Sequence, residues 1–141
     1  MRPFRLLRTG DVDVLLVEDD PALAEMYRLG LVAEGYGVRV ASDGPSGLQA
    51  ALGQPPDLLL LDLRLPGLSG FELLARLRET RDGADIPVIV LSNYGELEVV
   101  SHGMALGVAE HLIKSETTPD RLVYVIRHLL TVVPTPPPVA G

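Results

Sequence analysis

Four consecutive leucines, Leu58–Leu61, closed by Asp62, constrain the fold of this chain more than any other stretch. An apolar run without alternation fits a strand covered on both faces, as in a parallel sheet. Asp62 marks where the run stops. A carboxylate is costly to bury, but it is accommodated at the open end of a strand, facing a crevice. Pro66, Gly67 and Gly70 then turn the chain toward a helical pattern that begins near Phe71. Open α/β sheets gather ligands and chemistry at the carboxyl ends of their strands, so Asp62 is the first candidate functional residue. Taken alone, the segment fits equally well a carboxylate that merely caps the following turn.

A chain of 141 residues, 47% of them hydrophobic, is enough for one domain with a packed core. Its net charge of −7 argues against a general electrostatic grip on nucleic acid, and no direct nucleic-acid contact is expected. The absence of cysteine excludes disulfides and thiolate metal sites and suits a reducing compartment. No apolar run is long enough to cross a bilayer. The three arginines of Met1–Arg8 are not followed by an apolar signal region. A cytoplasmic protein without membrane insertion is the expectation.

Read in order, the chain alternates strand and helix. Residues 1–11 show no period and read as a loose N-terminal arm. Asp13–Val17 is a short apolar strand, ended by Glu18, Asp19 and Asp20. Pro21 suits a first helical turn, with Asp20 as its cap, and Leu23, Met26, Tyr27 and Leu31 supply the stripe up to Glu34 and Gly35. Val38 and Val40 mark a second strand. Ser42–Pro45 reads as a turn, and Leu48–Leu52 as part of a short second helix ended by Pro55 and Pro56.

After the leucine strand, Phe71–Thr80 is a third helix with Leu73, Leu74 and Leu77 inward. Pro87–Leu91 is a fourth strand. Glu96–Leu106 is a weak fourth helix, because Gly103 and Gly107 each cost up to about 1 kcal/mol against alanine. His111–Ile113 is a fifth strand. Thr118 caps a last helix whose apolar face includes Leu122, Val123, Ile126 and Leu129, and the proline-rich residues 133–141 form a tail. Five βα units imply right-handed crossovers and a doubly wound, five-stranded parallel sheet of the flavodoxin-like kind.

In such a sheet Glu18, Asp19, Asp62, Ser92 and Lys114 all stand at one edge. Three converging carboxylates repel unless a cation joins them, and hard oxygen ligands select an ion such as Mg²⁺. A hydroxyl and an ammonium beside them suit a phosphoryl group arriving with the metal. Each residue alone has a plainer explanation as a helix-terminal charge, a turn residue or a surface charge. The four strand ends together are harder to explain that way.

The ordered motifs Leu-Leu-Val-Glu-Asp-Asp-Pro (15–21), Leu-Leu-Asp-Leu-Arg-Leu-Pro-Gly-Leu-Ser-Gly (60–70), Val-Leu-Ser (90–92) and Leu-Ile-Lys-Ser (112–115) resemble the receiver domains of two-component response regulators. The resemblance runs from about Val12 to Val132, which sets the expected domain at 12–132. It implies that Asp62 is the phosphoacceptor, that Glu18 and Asp19 help hold Mg²⁺ with the carbonyl of Arg64, that Ser92 is the switch hydroxyl, and that Lys114 contacts the phosphoryl oxygens. It implies a protein that only assists its own phosphorylation and slow self-dephosphorylation, rather than an enzyme with a separate substrate. The phosphodonor would be a sensor histidine kinase or a histidine phosphotransfer protein. The output would be a shift of the face built from the fourth helix, fifth strand and last helix, acting on a downstream protein target.

Three positions depart from the family pattern. Ser115 stands where a proline usually follows the lysine, and Asn93 where a small residue usually follows the switch hydroxyl. His111 occupies the aromatic-switch position with a side chain that is smaller and able to carry charge. Arg64 and Tyr94, both large, fall at the positions that flank the approach of hydrolytic water, which predicts slow loss of phosphate.

Other readings are weighed on the same residues. Asp11-Val12-Asp13-Val14 resembles the nucleophile motif of haloacid dehalogenase phosphatases, but these aspartates precede the first strand instead of following it. A nucleotide-binding module would want a glycine-rich loop after the first strand, where this chain has three acids. A receiver fold serving as a phosphorylation-independent interaction module is the remaining alternative.

Overall fold

A computed structural model describes residues 7–93 and 106–133. In chain order the elements are β1 (Leu7–Arg8), β2 (Asp13–Val17), α1 (Pro21–Ala33), β3 (Gly37–Ala41), α2 (Gly44–Gly53), β4 (Leu58–Asp62), α3 (Gly70–Arg78), β5 (Val88–Ser92), β6 (Glu110–Ile113), α4 (Pro119–Leu130) and β7 (Val132–Val133). Short 3₁₀ turns cover Thr9–Asp11 and Lys114–Glu116. Five strands form one parallel sheet in the order β3-β2-β4-β5-β6.

The leucine run is β4, the middle strand, and all five of its residues are buried. Successive side chains of a strand point to opposite faces. Leu58 and Leu60 join Val14, Leu16, Ile89 and Leu91 against Tyr27 and Leu31 of α1 and Leu122 and Ile126 of α4. Leu59 and Leu61 join Leu15, Val17, Val88 and Val90 against Ala51 of α2 and Leu73, Leu74 and Leu77 of α3. Helices thus cover both faces, which is why the run carries no polar alternation. Each buried leucine contributes about 1.5–3 kcal/mol relative to an exposed one.

Side-chain caps start the helices. Asp20 accepts from the amides of Ala22 and Leu23, Ser69 from Glu72, and Thr118 from Arg121. Asp20 and Thr118 are the caps expected from sequence. The turn expected at Ser42–Pro45 is instead the start of α2. Asp43 accepts from the Ser46 amide at 2.7 Å, so the residues that suggested a turn supply a helix cap. The third helix ends at Arg78, two residues earlier than expected, where the Thr80 hydroxyl donates to the Leu77 carbonyl.

Residues 7–11 are not a loose arm. Leu7 and Arg8 pair in parallel with Val132 and Val133, and the buried Thr9 donates its hydroxyl to the Val133 carbonyl at 3.2 Å. Two-residue strands are too short to leave a period in the sequence. Of the fourth helix expected over Glu96–Leu106, only Leu106 falls among the described residues, in a turn with Gly107. Tyr94 and the tail beyond Val133 also lie outside them.

Candidate functional site

The chain passes from β2 to β3 on one side and then returns to place β4 on the other side of β2. That reversal opens a crevice at the carboxyl ends of β2 and β4, where open α/β sheets bind ligands. Glu18 and Asp19 follow β2, and Asp62 ends β4. The loop after β4 is drawn tight beneath them. Gly67 takes a positive φ of 79°, and Gly70 donates its amide to the Leu63 carbonyl at 2.9 Å. A Cβ at Gly70 would come within 2.5 Å of the Asp62 carbonyl oxygen, so only glycine lets α3 start this close to β4.

Glu18, Asp19 and Asp62 each offer a carboxylate oxygen within 4.8 Å of the others. Glu18 and Asp62 are buried, and Asp19 is exposed. Lys114, which follows β6, brings its Nζ 2.9 Å from Glu18 Oε1 and 3.0 Å from Asp62 Oδ2. The Arg64 amide donates to Asp62 Oδ1 at 3.1 Å, while the Arg64 side chain is exposed.

Burial and the neighbouring Asp62 push the Glu18 carboxyl up to about 8, against the pull of Lys114. Burial also acts to raise Asp62. Hydrogen bonds from Glu18, Lys114 and the Arg64 amide more than offset it and hold Asp62 below its ordinary value. Burial opposes the charge of Lys114 as well, but its two carboxylate partners keep it raised. The crowding thus drives the two carboxyls apart, Glu18 toward its protonated form and Asp62 toward its ionised form.

The fourth and fifth strand ends carry the remaining candidates. Ser92, buried at the end of β5, lies with its Oγ 2.5 Å from Nε2 of His111, which is half-buried on β6. The Lys114–Ser115 bond is trans, since no cis peptide occurs among the described residues. Asn93 and Ser115 are exposed.

Two supports were not legible as functional residues. Tyr27, legible only as part of an apolar stripe, donates its hydroxyl to the Thr117 carbonyl at 2.8 Å and so holds the turn that carries Lys114. Arg78 donates to the carbonyls of Gly83, Ala84, Ile86, Leu106 and Gly107, tying the end of α3 to the residues that lead into β5 and into β6. A tyrosine in an otherwise aliphatic stripe is the one available hint for the first, because a buried hydroxyl needs a partner.

Residues 14–127 match the family model of the response regulator receiver domain. The chain is 38% identical over 101 residues to the DNA-binding dual master transcriptional regulator RpaA of Synechocystis, and 36% identical over 112 residues to the phosphate regulon transcriptional regulatory protein PhoB of Rhizobium meliloti. These matches cover 72% and 79% of this chain, but only 42% and 49% of the relatives. Among solved structures it is similar to chemotaxis response regulator CheY4 of Vibrio cholerae, with a TM-score of 0.78 and 27% identity over 84% of this chain and 98% of that one. It is also similar to the receiver domain of sensor histidine kinase PA1611 of Pseudomonas aeruginosa, which holds a magnesium ion in its active-site cleft. There the TM-score is 0.77 and the identity 26%, over 85% of this chain and 98% of that one. The chain belongs to the response regulator receiver domain family, the phosphoacceptor switches of two-component signalling.

Proposed function

We propose that Asp62 is the phosphoacceptor of this receiver and that residues 7–133 form the working unit. The observation that carries the reading is the single ammonium of Lys114 bonded to both Glu18 and Asp62, with Asp19 completing a cluster of hard oxygens. In the transfer, an ionised Asp62 oxygen attacks the phosphorus of a phosphohistidine. The new P–O bond forms as the P–N bond breaks, and the electron pair goes to the departing imidazole. Lys114 neutralises the phosphoryl oxygens, and Ser92 supplies a hydroxyl to them.

The donor set fits Mg²⁺: Glu18, Asp19 and Asp62, with the carbonyl of Arg64, are oxygens of the kind such an ion selects. When bound, the ion would neutralise charge that develops on the phosphoryl group. The donor partner is a histidine kinase or histidine phosphotransfer protein, and the setting is cytoplasmic. The output face comprises, among the described residues, β6 and α4, and acts by population shift on a protein target. The relatives named above include a DNA-binding regulator. In this chain the net charge of −7 favours a protein target over direct contact with DNA.

Incubation with phosphoramidate and Mg²⁺, read by intact mass, tests the assignment. One phosphoryl group is expected on the wild type and none on Asp62→Asn. A phosphorylated Asp62→Asn protein would sink the assignment, and an unmodified wild type would favour an interaction module that works without phosphate.

A further inference from the structure

The contact between Ser92 and His111 bears on how the switch hydroxyl does its work. Val90 pairs with His111 and Ser92 with Ile113, so the side chains of Ser92 and His111 share one face of the sheet on adjacent strands. Ser92 is buried and its Oγ lies 2.5 Å from His111 Nε2. A hydroxyl has one proton to donate and two lone pairs, whereas a neutral imidazole has one nitrogen that donates and one that accepts. The pair therefore has two arrangements. Either Ser92 donates to Nε2, or Nε2–H donates to Oγ and leaves the serine proton for another acceptor.

Resting on the phosphoacceptor reading of Asp62, we propose that His111 is a positioning residue for the aspartyl phosphate. Its Nε2–H holds Oγ, so that the only proton of Ser92 is committed to a phosphoryl oxygen. A phenylalanine at position 111 could fill the space but could not orient the hydroxyl. The proton need not come from an added group. Moving it from Nδ1 to Nε2 conserves charge, and the half-buried ring has access to solvent for the exchange. His111 acts only through Ser92, which is what separates this role from simple packing.

Beryllofluoride with Mg²⁺ serves as the phosphoryl mimic for the full chain, with fluorine NMR reading its binding and two-bond ¹⁵N–¹H correlations reading the His111 tautomer. Bound fluoride together with a His111 that carries its proton on Nε2 is the expected result. Bound fluoride with Nε2 still an unprotonated acceptor would overturn the inference alone. No bound fluoride would overturn the phosphoacceptor reading and this inference with it. A double-mutant cycle supplies the second readout. His111→Phe should weaken mimic affinity about fivefold, the scale of one hydrogen bond, and should have no effect in a Ser92→Ala background. His111→Gln, whose amide can still donate, should restore most of the loss. An equal loss from His111→Phe in both backgrounds would show a packing role and overturn the inference.

Discussion

Replacing Glu18 with glutamine should make the metal-free protein more stable at neutral pH, although it removes a proposed metal ligand. Glu18 is 2% exposed and shares its space with Asp62, and its pKa rises from an ordinary 4.5 to about 8. A carboxyl raised in this way contributes stability below pH 4.5, where it is protonated folded or unfolded. That contribution is lost as pH rises through the folded value of about 8. Holding a proton at pH 7 on a group that would ordinarily have lost it costs about 3 kcal/mol, at about 1.4 kcal/mol per pH unit. Glutamine keeps the shape and a donor toward Asp62 without that cost.

The assay is thermal unfolding in EDTA at pH 5, 7 and 8. We expect Glu18→Gln to gain less than about 1 kcal/mol at pH 5 and about 2–3 kcal/mol at pH 7, or roughly 4–10 °C in Tm. With saturating Mg²⁺ the order should narrow or reverse, since only the wild type keeps the full ligand set. A gap independent of pH, or a variant less stable than wild type at pH 7 in EDTA, would refute the account of the crowded acids.

Tyr27→Phe should cost about 1–2 kcal/mol by leaving the Thr117 carbonyl without its buried donor, and should slow phosphorylation because the turn carrying Lys114 loosens; urea unfolding and phosphoramidate kinetics read the two effects. Gly70→Ala places a methyl against the backbone of Asp62 and Leu63, so a loss of about 1–3 kcal/mol is expected, with reduced labelling even at temperatures where the protein stays folded. Arg78→Met removes the cation that gathers five carbonyls and should lower urea stability by about 3 kcal/mol, while mimic affinity at the distant acidic cluster changes little. Arg64→Asn with Tyr94→Ala should speed loss of phosphate about tenfold, or about 1.4 kcal/mol of barrier, in a direct decay measurement.

The parts of this protein that were legible in the sequence are those encoded by neighbours along the chain. Leu58–Leu61 announces a doubly covered strand because burial on both faces shows in local composition. Glu18, Asp19, Asp62, Ser92 and Lys114 announce themselves as polar residues that end apolar strands. What stayed hidden depends on register and distance. The Ser92–His111 contact exists because β5 and β6 align Val90 with His111, and no local pattern specifies that alignment. Tyr27 reaches a carbonyl 90 residues away. The start of α2 was missed because Asp43, Gly44 and Pro45 serve turns and helix N-termini by the same hydrogen-bond chemistry.

The ribbon of β1 and β7 has a mechanical consequence. Its strands run in the same direction, so the chain entering at Leu7 and the chain leaving after Val133 depart from opposite ends of the ribbon. A tensile load applied between those two exits acts along the strands. It must slide Leu7 and Arg8 past Val132 and Val133 together, with the Thr9–Val133 bond sharing the force, instead of peeling the contacts one at a time. Tension across the domain thus meets a shear clamp at the edge remote in sequence from Asp62, before it reaches α4 or the sheet.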